Sequence, residues 1–318
     1  MTLCFVIPEA NGFVSGGNIY NQSLCDALKK NIVVQQLDWN TFVTNQSSAT
    51  RFIFDSIYLD NFRKCTIEIP PNAVLLFHYV DVFFEQKDNL ELLAERIQQL
   101  KNFSLIVATG NFARQWLIHH SIGSEKIVLI EPAIILFGKK SNHISDKLQL
   151  LMVGNFVPIK GYDNFLAELD KLQPEGVTVT ILGDNTIDKT YSRLILSRIE
   201  ASSYLSRTVQ LPGTVLHENM IDYFEQSNLF VSASLFETFG MAVQEALQYG
   251  LPVYAIASGN LAAIRHPLIK LFINNNDMVN VIANTHPLAL SKEEIIHSTI
   301  KKYSWQDAAS LFKSLLFA

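Results

Sequence analysis

The chain has 318 residues, 48% of them hydrophobic and 17% charged, with a formal net charge of −5 at pH 7. That length asks for about two domains, and such a composition fills large cores and excludes a long disordered tail. The half through Lys140 is close to neutral, so neither nucleic-acid binding nor electrostatic docking on anionic lipid is expected.

The chain opens on a strand-like run, residues 3–7, with no positively charged leader, which predicts no signal peptide. Further short apolar strands are predicted at 32–37, 52–59, 73–77, 105–108 and 127–130, with helices at 18–29, 89–101 and 111–119. A polar stretch, Lys139 to His143, interrupts this pattern within 132–145 and marks a boundary. The alternation then resumes. Strands are predicted at 148–153, 177–182, 209–211, 229–231, 253–256 and 270–273, and helices at 161–172, 188–202, 217–226, 241–249 and 292–302. An amphipathic helix at 305–316 ends the chain. Apolar strands joined by helices imply parallel sheets covered on both faces. Three cysteines, Cys4, Cys25 and Cys65, form no CxxC pair and read as reduced thiols. The most apolar run, 127–137, is broken by Glu131-Pro132 and too short to span a bilayer. A soluble, cytoplasmic protein is expected, with peripheral membrane contact left open.

Residues 232–253 are the most informative: Ser-Ala-Ser-Leu-Phe-Glu-Thr-Phe-Gly-Met-Ala-Val-Gln-Glu-Ala-Leu-Gln-Tyr-Gly-Leu-Pro-Val. Strand, Gly-containing loop, helix and strand make one βαβ unit, in which ligands bind at the carboxyl end of the strand. Free N–H groups and the helix dipole make an anion site at the start of the helix. Glu237 falls in the loop and Glu245 about one and a half turns into the helix, flanking Phe239-Gly240-Met241. Carboxylates so placed cannot share a proton or a metal, but can grip separate hydroxyl groups on either side of a phosphate.

This string resembles the E-x7-E motif of retaining glycosyltransferases of the GT-B fold, especially glycosyltransferase family 4 (glycosyl transferases group 1). The resemblance implies two facing Rossmann-like α/β domains with parallel sheets and a cleft between them. Residues 1–140 would form the acceptor side and 141–300 the nucleotide-sugar donor side, with 301–318 packing back on the first domain. It implies that Glu237 meets the donor sugar, that Glu245 holds the ribose, and that the Phe239-Gly240-Met241 turn donates amides to sugar and phosphate. Lys160-Gly161, opening a helix after the strand that ends in Gly154, resembles the family's Gly-Arg-x(4)-Lys-Gly segment, with Asn155 where the Arg would stand. The missing guanidinium removes a bidentate phosphate clamp. Gly183, in Gly183-Asp184-Asn185, matches the first glycine of a Gly-x-Gly loop, as a ligand loop or as a plain turn. Leu211 to Val215 resembles a segment whose backbone lies near the base. Gly16-Gly17 permits close approach of a substrate, and a similar glycine-rich loop lies near donor phosphate and acceptor in relatives. His78 is either a cleft residue facing the donor sugar or a structural histidine. Asn111 and Ser258-Gly259-Asn260 resemble further, weaker segments.

No GxGxxG, D-x-D, HExxH, G-x-S-x-G or P-loop is present, and no metal is expected. The expected activity is transfer of a hexosyl or N-acetylhexosaminyl group from a nucleoside-diphosphate sugar to an acceptor hydroxyl, with retention and without a cofactor. The nucleotide is guessed as uridine and the acceptor as a saccharide or small molecule. A sugar-nucleotide epimerase or hydrolase, and a non-catalytic nucleotide-sugar-binding subunit, are the alternatives.

Overall fold

The computed structural model describes residues 2–8, 15–44, 51–134, 147–286 and 303–316. The predicted helix at 292–302, the polar stretch 139–143 and loop residues 9–14 lie outside these. The chain divides into two compact units, Met1–Ala133 with Tyr303–Ala318, and Ile134–Lys302.

In the first unit, strands β1 (Thr2–Val6), β2 (Val33–Leu37), β3 (Arg51–Asp55), β4 (Val74–Phe77), β5 (Leu105–Ala108) and β6 (Ile127–Leu129) form one sheet in the order β2-β1-β3-β4-β5-β6. Every pairing in it is parallel. Helices α1 (Gly16–Lys29), α2 (Trp39–Thr44), α3 (Leu59–Cys65), α4 (Leu90–Lys101) and α5 (Asn111–His119) lie between the strands. The strand predicted at 52–59 stops at Asp55, whose carboxylate caps a 3-10 turn, Ser56–Tyr58, that runs into α3. Helices α2 and α3 were not visible as apolar periodicity because both are short and polar-rich. They hold through an aromatic cluster, Trp39 against Phe62 at 4.9 Å and Phe42 against Phe54 at 5.0 Å between ring centroids.

In the second unit, β7 (Leu148–Val153), β8 (Val177–Leu182), β9 (Val209–Gly213), β10 (Leu229–Ser232), β11 (Val253–Ile256) and β12 (Ile269–Phe272) order as β12-β11-β10-β7-β8-β9, again all parallel. Its helices are α6 (Tyr162–Leu172), α7 (Lys189–Ala201), α8 (Leu205–Thr208), α9 (Met220–Gln226), α10 (Met241–Gln248) and α11 (Asn275–Ala283). The helix predicted at 217–226 starts instead as a 3-10 turn, His217–Asn219, before α9. Strand alternation divides the apolar residues between two cores. Leu148, Leu150 and Met152 of β7 pack with α6, α7 and α11, whereas Leu151 packs with α9 and α10. The final helix, α12 (Trp305–Leu316), places Ala308, Ala309, Phe312 and Leu316 in the core that also holds Leu24 and Leu28 of α1. Among the described residues no helix is long and apolar enough to cross a membrane.

The order of the second sheet fixes where a ligand can enter. Strands β7 and β10 are neighbours, yet the chain leaves β7 towards β8 and β10 towards β11, in opposite directions. Connections that diverge in this way open a crevice at the carboxyl ends of the two strands.

Candidate active site

Both loops at that crevice carry sequence-predicted residues. After β7 come Gly154, Asn155 and a 3-10 turn, Pro158–Lys160, before α6. After β10 come Ser234, Glu237 and Gly240, before α10. Leu235 N–H donates to the Ile159 carbonyl at 2.8 Å, tying the loops together. Lys160 Nζ and Glu237 Oε1 lie 2.6 Å apart, with 24% and 15% of their side chains exposed. Ser234 Oγ donates to the same carboxylate oxygen at 2.7 Å. A Lys–Glu pair this sheltered is held in one geometry and can exchange partners with an incoming anion.

Helices α6 and α10 begin at Gly161 and Gly240, and neither has a side-chain cap. In α6 the Asp163 N–H is already taken by Tyr191 Oη at 3.1 Å, whereas the first-turn N–H groups of α10 lack a side-chain cap and are suited to a phosphate. Gly161 is required by space as well as by conformation. Its φ is 64°, and an added Cβ would lie 2.3 Å from the Ala233 carbonyl oxygen. Gly161→Ala is expected to cost at least about 2 kcal/mol, read by chemical denaturation. An unchanged unfolding midpoint would contradict that packing.

Gly183, after β8, also approaches backbone closely. An added Cβ would sit 2.0 Å from the Gly154 carbonyl oxygen. Asn155 Oδ1 accepts from the Asp184 N–H at 3.1 Å, so the residue in the arginine's place braces the β7 and β8 loops. Tyr162 Oη donates to the Gly154 carbonyl at 2.7 Å. Behind Glu237, Asn260 N–H donates to its carbonyl at 2.8 Å and Asn260 Nδ2 to the Phe239 carbonyl at 3.3 Å. Ser258 Oγ donates to the Ser234 carbonyl at 2.9 Å. Ser258 and Asn260 thus support the loop rather than extend it.

Glu245, the fifth residue of α10, is buried, with 5% of its side chain exposed. Its Oε1 lies 2.8 Å from His217 Nε2. This hydrogen bond raises the His217 pKa above its ordinary value, against the opposing effect of burial. Sequence reasoning missed His217 and Ser234. Ser234, three residues ahead of Glu237, was visible as a signal; His217, 28 residues from Glu245, was not. Because the folded pKa of His217 is raised, the stability the pair adds is full below the ordinary histidine value, near 6.5. It is lost as pH rises through the folded value. The melting-temperature difference between wild type and His217→Ala is therefore expected to be largest near pH 6 and to shrink towards pH 9. A difference independent of pH would contradict a charged pair.

In the first unit, Gly16 and Gly17 begin α1, which is capped by Ser15 through its Oγ accepting from Asn18 N–H at 3.1 Å. The His78 ring lies 3.6 Å from where a Gly17 Cβ would stand. His78 Nε2 is 2.8 Å from Asn21 Oδ1, and Asn21 Nδ2 donates to Asp55 Oδ2 at 2.5 Å. All three side chains are buried, and burial lowers the His78 pKa, with Asp55 acting in the opposite sense. His78 is thus neutral near pH 7 and belongs to a network of three chain segments. The structure gathers Gly16, Gly17 and His78 in the first unit, and Lys160, Glu237, Glu245 and their loops in the second. Among the described residues, no group of three or more His, Cys, Asp and Glu side chains is disposed to hold a metal ion.

The sequence profile described as glycosyl transferases group 1 matches residues 136–302. A 41.2 kDa protein in the cps region of Klebsiella pneumoniae is 25% identical over 267 residues, covering 79% of this chain and 70% of that protein. The phosphatidylinositol N-acetylglucosaminyltransferase GPI3 subunit of Saccharomyces cerevisiae is 23% identical over 229 residues, 66% of this chain. The match spans only 50% of that relative's length. The crystal structure of HepE from Anabaena in complex with UDP-glucose superposes with a TM-score of 0.76 at 16% identity, covering 100% of this chain and 99% of that one. At that identity the likeness is one of fold.

Proposed function

Since the chain belongs to the glycosyl transferases group 1 family and has the GT-B fold, we propose that it moves a sugar from a nucleoside-diphosphate sugar to an acceptor hydroxyl with retention at the anomeric carbon. The observation that carries the reading is the Lys160–Glu237 pair beside the uncapped start of α10, where the β7 and β10 connections diverge.

In this reading the diphosphate takes the amides of the first turn of α10, and Lys160 exchanges part of its contact with Glu237 for the phosphate. Glu237, held by Ser234, then faces the sugar. The bond from the anomeric carbon to the diphosphate oxygen breaks, and its electron pair leaves with the diphosphate. The acceptor oxygen bonds to the same face of the carbon, and its proton leaves with the diphosphate. A fixed carboxylate stabilises the positive charge that grows on the sugar more in the transition state than before it. Glu245 holds the ribose hydroxyls. Phe239, Gly240 and Met241 line the turn between the two glutamates, and Gly154, Asn155 and Gly183 shape the floor. The acceptor is assigned to the first unit, with Gly16 and Gly17 at the start of α1 and His78 packed against Gly17.

The donor is a hexose or N-acetylhexosamine nucleotide. UDP is the first candidate, supported by the UDP-glucose in HepE, and the N-acetylglucosaminyltransferase relative supports an amino sugar. No metal or further cofactor is part of this reading, and the reaction is placed in the cytoplasm. Replacing Glu245 with Ala is expected to weaken binding of the free nucleoside diphosphate by about 1.5–3 kcal/mol, from loss of charge-assisted hydrogen bonds to hydroxyls that do not react. Isothermal titration of UDP, GDP and ADP checks this. If none of them binds the wild type, the proposed function is wrong.

A further inference from the structure

The buried Glu245 carboxylate is only half engaged. A carboxylate accepts hydrogen bonds at both oxygens, and burying one without partners is costly. Here Oε1 is taken by His217, while Oε2 has no hydrogen bond to any described residue and is not among the sealed, unpartnered atoms. One oxygen is anchored and the other is presented.

The anchor is built into the fold. His217 opens the 3-10 turn after β9, three positions from β10 in the sheet. Met220 and Phe224 of α9 share a core with Val243, Ala246 and Leu247 of α10. That packing sets the start of α9 beside the early turns of α10.

We propose that His217 is the positioning residue of the ribose site: by clamping Glu245 Oε1 it holds Oε2 towards the vicinal ribose hydroxyls, and so makes the site select ribonucleotides over 2′-deoxyribonucleotides. This rests on Glu245 being the ribose carboxylate. A carboxylate free to rotate satisfies one hydroxyl as readily as two. A clamped one is matched to the pair, and loses a charge-assisted bond when the 2′-hydroxyl is absent.

The test uses whichever of UDP, GDP and ADP binds the wild type most tightly, together with its 2′-deoxy form and inorganic pyrophosphate. Wild type should prefer the ribonucleotide by about tenfold or more. His217→Ala should bring the two within about threefold of each other, with pyrophosphate affinity unchanged. His217→Gln, which keeps an N–H donor in reach of Oε1, should restore most of the preference. A wild-type preference that survives in His217→Ala overturns the proposal, as does an equal loss for nucleotide and pyrophosphate, which would show a merely structural role. Glu245→Ala separates the two claims. If it keeps the wild-type preference, the ribose assignment fails and the clamp with it. If it loses the preference while His217→Ala keeps it, only the clamp fails.

Discussion

Glu237→Ala is expected to lower kcat by about 100- to 1000-fold, the range for removing one preorganised electrostatic stabiliser. Affinity for the free nucleoside diphosphate should stay within about threefold of wild type or become tighter. The reason is the pair at 2.6 Å: without Glu237, Lys160 loses its partner and its whole charge turns to phosphate. Fold integrity is protected, because the loop around residue 237 is held through backbone groups, including the Glu237 carbonyl bonded to Asn260 N–H. Steady-state kinetics with a released-diphosphate readout, beside a direct binding titration, separates the two effects. Poor nucleotide binding with normal turnover would reverse the roles given to Glu237 and Glu245.

Lys160→Ala should reduce both quantities, binding by about tenfold or more and turnover further, since diphosphate is bound in the ground state and gains charge as it departs. With Asn155 engaged on the Asp184 N–H, the guanidinium expected beside Lys160 is missing, which concentrates the counter-charge on this one ammonium. The variant also leaves the Glu237 carboxylate, 15% exposed, with the Ser234 hydroxyl as its hydrogen-bond donor. The double variant Lys160→Ala/Glu237→Ala should therefore bind the diphosphate better than Lys160→Ala alone, because no unpaired carboxylate is left beside the phosphate. A double variant that binds no better than Lys160→Ala would show that Glu237 does not act on the bound phosphate.

What could be read in the sequence was local. The eight-residue spacing of Glu237 and Glu245 lies within one loop and helix, and Lys160-Gly161 follows directly on a strand, so short-range pattern sufficed. The central strands β10 and β11 were legible for the same reason: buried at every position, they read as short continuous runs of mostly apolar residues. The contacts that organise the site were hidden because they depend on sheet order. Lys160 meets Glu237 across 77 residues, His217 meets Glu245 across 28, and His78 meets Asn21 across 57. No periodicity encodes those pairings. The short helices failed differently. Helix α2 follows Asp38, which accepts from Thr41 N–H at 2.7 Å, and α11 follows Asn274, which accepts from Asp277 N–H at 2.8 Å. Both cap signals were present, but the polar residues behind them blurred the apolar stripe. In the 52–59 run, apolar residues continued past the true end of β3, and capping by Asp55 ended the strand where hydrophobicity did not.

The central claim is that the diverging connections of β7 and β10 hold a nucleoside diphosphate, and a crystal structure grown with saturating UDP, GDP or ADP tests it most directly. The account predicts the diphosphate against the N–H groups of residues 240–242, with Lys160 Nζ about 3 Å from a phosphate oxygen and the ribose hydroxyls on Glu245. A nucleotide bound elsewhere, with Lys160 and Glu237 still paired to each other and α10 unoccupied at its start, would contradict it.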